Sequence, residues 1–162
     1  MIFSKTFGYA LRSVLYIAAT GNETEKIRVE DISRKIGIPK YFLAKIMNKM
    51  AKGGIVSSTK GPNGGFSITN KTLDTPLIRL YQLVDGPNLA ESCVLNVQKK
   101  CDESHPCPMH FKMVDHKENI MVTLSGTTIS DLLGDERTDL VQSISFWNVL
   151  PRAKRFPKSW CS

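Results

Sequence analysis

The stretch from Arg28 to Thr69, "RVEDISRKIGIPKYFLAKIMNKMAKGGIVSSTKGPNGGFSIT", restricts the possible folds more than any other part of the chain. Val29, Ile32 and Ile36 recur at helical spacing, and Gly37 supplies a stop. Pro39 stands where a first-turn proline is tolerated, and a second helical pattern runs from it to Gly53-Gly54, a pair suited to a left-handed cap. Two short helices joined by Gly-Ile and a proline make a helix-turn-helix pattern. On the second helix Phe42, Leu43, Ile46, Met47 and Met50 form one apolar stripe. Tyr41, Ala44, Lys45, Asn48, Lys49 and Lys52 fall largely on the other side.

The next segment sharpens the pattern. "IVSSTKGPNGGFSIT" alternates like a strand, turns through Gly61-Pro62-Asn63-Gly64-Gly65 and resumes as a second strand from Phe66. A hairpin directly after a helix-turn-helix is the layout of a winged helix. There the second helix enters the major groove, and the hairpin tip lies along the backbone or in the minor groove. Glycines at that tip let main-chain amides approach phosphates, and Lys60 supplies charge.

The charge distribution agrees. Through Thr72 there are twelve Lys and Arg against four Asp and Glu, a net of +8; from Leu73 onward ten stand against eleven, a net of −1. The basic half calls for an anionic partner, with nucleic acid first. No apolar run approaches the length of a membrane span. The amino terminus has no signal-peptide pattern, so the expected compartment is the cytoplasm, where thiols stay reduced.

Around this half the pattern continues in helices. "KTFGYALRSVLYIAAT" places Phe7, Leu11, Val14, Leu15 and Ala18 on one face before Gly21. "PLIRLYQLVDG" reads as a helix ending near Asp85-Gly86, and Phe111 to Leu124 as another, carrying Met113, Val114, Ile120 and Met121. "TTISDLLGD" resembles a short capped helix, with Thr127 or Thr128 as N-cap and Asp131 inside the first turn. Beyond Asp139 the basic, aromatic tail permits no assignment. The expected architecture is mainly α with a small β-hairpin wing: a winged helix-turn-helix domain over residues 1–86, a cysteine-bearing loop over 87–110, and a long dimerisation helix with its tail over 111–162.

The loop, "SCVLNVQKKCDESHPCPMHF", gathers Cys93, Cys101, Cys107 and His110. Thiolates are soft ligands that suit iron–sulfur clusters and zinc alike, and these four groups could serve either. His105 could stand in for His110, although a lone loop histidine is usually solvated. His116 falls on the helix after the loop, and Cys161 stands far off as an unassigned thiol. Cysteine beside histidine also makes nucleophile–base pairs, but the chain carries no nucleophile-elbow, P-loop or dinucleotide motif, which argues against an enzyme.

Taken in order, "FGYALRSVLYIA", "ISRKIGIPKYFLAKIMNKMAKGGIV", "STKGPNGGF" and "TTISDLL" resemble the bacterial Rrf-two family of winged-helix transcription regulators, over the chain to about Leu133. The resemblance implies a homodimer on partly palindromic double-stranded operator DNA, with no membrane association. It also implies an iron–sulfur cluster on Cys93, Cys101 and Cys107, sensing redox state, nitric oxide or iron–sulfur supply. In the branch that regulates iron–sulfur assembly, a histidine three residues after the last cysteine completes the set, and "CPMH" offers His110 at that offset. The nitric-oxide-sensing branch uses an aspartate of the first helix, where this chain has Gly8. A [2Fe–2S] cluster is therefore expected ahead of [4Fe–4S]. The gap between Cys93 and Cys101 is longer than usual in the family, but loop closure adds only a few tenths of a kcal/mol. The alternative is a regulator of the same fold that senses by thiol oxidation, zinc or a small metabolite. Lys45, Asn48 and Lys49, with Tyr41 as a further candidate, are the expected DNA contacts of the second helix; Lys60, Asn63, Gly64 and Gly65 are those of the wing.

Overall fold

The computed structural model describes residues 3–21, 25–87, 93, 95, 100, 102–133 and 137–146. Its spine is α1 (Lys5–Thr20), against which most other helices pack. Ser4 caps it: the hydroxyl oxygen accepts from the Phe7 N–H at 3.1 Å, while the Ser4 N–H and hydroxyl both donate to the Asp85 carboxylate. Ala10, Val14 and Ile17 lie fully buried along its middle.

Helix α2 (Val29–Ile36) buries Ile32 and Ile36 and ends as expected at Gly37, whose φ of 66° is left-handed. The Ser33 hydroxyl donates to the Ile38 carbonyl at 2.6 Å and closes the turn. Helix α3 (Lys40–Lys52) comes directly after Pro39 and buries Leu43, Ile46, Met47 and Met50. Phe42 departs from the expected stripe: it is 46% exposed, its ring edge-on to Tyr9. At about 100° per residue the four buried side chains span an arc of roughly 100°, and Phe42 falls just outside it. Gly53 ends the helix, and a Cβ there would lie 2.5 Å from Leu83 Cδ2, a measure of how closely this end approaches the next long helix.

The wing is shorter than the alternation suggests. Strands β1 (Ser57–Thr59) and β2 (Gly65–Ser67) pair antiparallel, with Ser58 opposite Phe66. Ile55 and Val56 are buried ahead of the ladder, and β1 is exposed throughout. Ile27 exchanges two backbone hydrogen bonds of 2.9 Å with Phe66, so the hairpin is fastened to the segment leading into α2.

A short helix that the sequence pattern does not announce, α4 (Asn70–Leu73), carries a Thr69–Thr72 capping box. Helix α5 (Leu77–Asp85) then packs on α1 and α3 and ends at Gly86. Helix α6 (His110–Gly126) buries only His110 and Leu124, and leaves Phe111 and Val122 exposed. The expected capping box opens α7 (Ile129–Leu133): the Thr128 N–H and hydroxyl donate to Asp131 Oδ2, and the Asp131 N–H returns to Thr128 Oγ at 3.2 Å. These bonds hold the Asp131 carboxyl below its usual pKa.

The unassigned tail contributes α8 (Arg137–Phe146), which packs on α1 and α2 through Leu140, Val141 and Ile144. Arg12 clamps it, donating to the Ile144 carbonyl at 2.6 and 3.1 Å and to the Ile36 carbonyl at 2.5 Å. Partial burial lowers the Arg12 pKa from its ordinary value, with Tyr9 opposing the shift. Among the described residues no helix is long and apolar enough to cross a membrane.

Candidate nucleic-acid interface and cysteine segment

Helical geometry sorts the polar residues of α3. Tyr41, Lys45, Asn48 and Lys52 lie within about 60° of one another, opposite the buried arc. All four are exposed, and the Lys45 ammonium sits 4.4 Å above the centre of the Tyr41 ring. That contact holds the charge over the first turn of the helix, the end that reaches base edges in this architecture. Lys49 lies on the shoulder instead: its Nζ donates to the Val84 carbonyl of α5 at 3.2 Å. The sequence pattern groups it with Lys45 and Asn48; the structure makes it a tether between α3 and α5.

An open groove runs between α3 and the wing, lined by Asn48, Ser58, Thr59, Lys60 and Arg28 among others. A neighbouring hollow is framed by Lys26, Arg28, Asn63 and Gly64. Lys60 and Asn63 are exposed, as a backbone-contacting tip requires. Gly64 and Gly65 serve differently from the expectation of free amides. The Gly64 N–H donates to the Gly61 carbonyl at 2.9 Å, and Gly65 is paired in the ladder with its Cα against the Ile27 backbone. Their value is absence of bulk. Lys26 and Arg28 were not among the expected contacts, although "KIRVED" sets two cations just ahead of α2. Arg28 donates to the Pro62 carbonyl, linking the tip to the start of α2. The acids of that helix are matched locally, Glu30 with Lys40 and Asp31 with Arg34.

Lys45→Ala is expected to weaken binding to duplex DNA and to flatten the dependence of log K on log salt by about 0.9 if its contact is to phosphate. A salt titration monitored by fluorescence anisotropy measures both. An unchanged affinity with an unchanged slope removes Lys45 from the interface.

The cysteine segment meets the start of α6. The His110 N–H donates to the Cys107 carbonyl at 2.8 Å, placing both residues in one turn. His110 is 6% exposed with its ring edge-on to Phe111; Cys107 is half-buried, as is Cys93, and neither is in a disulfide. Cys101 and Cys161 lie outside the described residues. Among the described residues no three potential ligands stand together. His105 is turned elsewhere, its Nδ1 3.0 Å from the Asp102 carboxylate, a contact that with the Ser104 amide lowers the Asp102 pKa. His116 is exposed on α6 beside an apolar groove lined by Phe3, Met113 and Ile120.

A helix-turn-helix with a basic outer face, joined to a hairpin that is tied to its first helix, defines a winged-helix DNA-binding regulator. Comparison with known proteins makes the assignment specific. Residues 3–135 match the Rrf2 family, described as "Iron-dependent Transcriptional regulator", and the chain belongs to that family. It is a transcriptional regulator and not an enzyme. A relative from Aquifex aeolicus (strain VF5), named as an HTH-type transcriptional regulator, is 37% identical over 142 residues, covering 86% of this chain and 96% of its own. The HTH-type transcriptional regulator NsrR of Geobacillus kaustophilus (strain HTA426) is 25% identical, covering 78% and 86%. Among solved structures, CymR of B. subtilis, titled the global cysteine regulator, superposes with a TM-score of 0.65 at 17% identity, over 80% of this chain and 94% of that one. At that identity the likeness concerns the fold.

Proposed function

We propose that the protein is a homodimeric transcription regulator whose hold on partly palindromic operator DNA depends on an iron–sulfur cluster, [2Fe–2S] ahead of [4Fe–4S], bound by Cys93, Cys101, Cys107 and His110. The observation that carries this reading is the placing of a buried imidazole and a half-buried thiol in one turn at the base of α6. The donor set fits: three thiols and an imidazole suit a [2Fe–2S] centre, and the imidazole raises its potential relative to an all-cysteine site. The family's description as iron-dependent points the same way. When bound, such a cluster supplies a centre that reacts with oxidants and nitric oxide and that reports iron supply.

The chain itself suggests how the loop would speak to the DNA face. The cysteine segment leaves from the Gly86 cap of α5, and Val84 in the last turn of that helix accepts the Lys49 hydrogen bond from α3. With Cys93 and Cys101 as ligands beside Cys107 and His110, a bound cluster would tie the segment to the base of α6. The end of α5 is then held, and with it the tether on α3. With these side chains released, the same turn loses that restraint. Two states of one helix end that differ in operator affinity make a switch. The exposed Phe111 and Val122 on α6 suit burial against a second copy.

The test is the visible absorption spectrum of protein purified without oxygen, with iron, sulfide and zinc analysis and with Cys107→Ala alongside. Broad visible absorption, matching iron and sulfide, and loss of both in the variant are expected. Colourless protein with stoichiometric zinc would make the segment a structural clamp. Metal-free protein that resists reconstitution would leave the DNA-binding regulator intact and remove the cluster as its sensor.

A further inference from the structure

The three residues "KIR", Lys26 to Arg28, lie along the wing as a third strand would. Ile27 exchanges backbone hydrogen bonds of 2.9 Å with Phe66 and packs its side chain on the core. Gly65 permits the approach, since a Cβ there would stand 2.8 Å from the Ile27 carbonyl oxygen. Successive side chains of an extended segment point to opposite sides, so Lys26 and Arg28 share the outer one. There, with Asn63 and Gly64 of the turn, they frame a hollow at the wing tip, and none of the four carries a negative charge. Arg28 also lines the groove between α3 and the wing, which puts it at the seam of the two. Glu30, the acid lining that groove, already has the Lys40 ammonium 2.6 Å from its carboxylate. Arg28 spends one N–H on the Pro62 carbonyl, which fixes the group against the tip. A guanidinium has five such donors in a planar fork that matches a phosphate, so the fixed group still presents donors to a ligand. Lys26 adds a point charge and Asn63 an exposed amide. Two cations and an amide around a polar hollow beside a DNA-reading helix have a backbone phosphate as their complement.

We propose that this hollow seats a phosphate of the DNA backbone, with Lys26, Arg28 and Asn63 as donors, so that the segment ahead of α2 and the wing tip grip one strand together without reading its bases. The proposal rests on DNA binding by the winged helix, and the test separates the two. The full chain, Lys26→Gln, Arg28→Gln, Arg28→Lys and Lys45→Ala are titrated with two duplexes of unrelated sequence between about 50 and 200 mM salt. Lys26→Gln leaves the bond between Arg28 and Pro62 in place. It should weaken binding and flatten the slope of log K against log salt by about 0.9 per protomer, equally on both duplexes. Arg28→Gln should flatten the slope as much, and Arg28→Lys, which returns the charge, should keep it. Unchanged slopes in Lys26→Gln and Arg28→Gln, while Lys45→Ala weakens binding, overturn the seat and leave the winged-helix reading standing. Weaker binding by Arg28→Gln at an unchanged slope would make Arg28 a fastener of the tip and nothing more, which also overturns the seat. A loss confined to one duplex would assign these residues to base reading and overturn the phosphate contact. If the full chain binds neither duplex, both readings fall.

Discussion

Leu43→Ala should lower the melting temperature by about 4–20 °C, the largest single stability effect in the DNA-binding half. Leu43 is fully buried in the first turn of α3, within the core shared by α1 and α5. Truncating a leucine in such a site costs about 2–5 kcal/mol, because the lost transfer energy is joined by the cavity left behind. Against a total stability of about 5–15 kcal/mol this is a large fraction. In a chain of this size each kcal/mol moves the midpoint by about 2–4 °C. Thermal and denaturant unfolding monitored by circular dichroism would measure it. Phe42→Ala is the internal control: its neighbour is 46% exposed and should cost well under half as much. If both substitutions proved equally damaging, the arc that α3 buries has been misplaced.

Gly64→Ala should produce the opposite profile, with binding lost and the fold kept. A Cβ at position 64 would stand 2.3 Å from the Thr59 carbonyl oxygen and 2.9 Å from both the Gly61 oxygen and the Lys60 carbonyl carbon. Every one of these is backbone, so no side-chain rotation relieves the collision and the turn itself must open. The cost falls on the wing, whose first strand is exposed and adds little to the core. DNA affinity is expected to fall at least tenfold, about 1.4 kcal/mol, with a melting temperature close to that of the unaltered protein. Wild-type affinity in this variant would show that the wing plays no part in recognition.

Helices α1, α2 and α3 and the capping box before α7 were legible because their signals are local: apolar residues at helical spacing, a glycine stop, a threonine three residues from an aspartate. The misses have a common physical cause. Helix α4 is a single polar turn, "NKTL", too short to show a period. Helix α8 exists where the sequence shows no clear pattern, and its anchor, Arg12, lies 132 residues from Ile144. The departure of Lys49 from the polar face depends on where α5 passes, and the setting of Phe42 on where α1 brings Tyr9, neither of which a local window contains. For the wing glycines the residue type pointed to the turn, and the structure shows that Gly64 spends its amide inside it. The cysteine segment was legible as chemistry only. Its residue types mark candidate donors, and the structure adds the burial of His110 and the contact of His105 with Asp102.

The thin packing of α6 has a consequence of its own. Seventeen residues with two buried side chains are near the margin at which a helix holds together in water. In the proposed homodimer its persistence would obey mass action: a second copy would lend order to both helices, and dilution would withdraw it. His110 and Cys107 stand at the root of that helix, so the number of protein molecules in a cell would bear on how firmly the proposed ligands are presented. Copy number would then act as an input alongside whatever chemistry reaches the thiols.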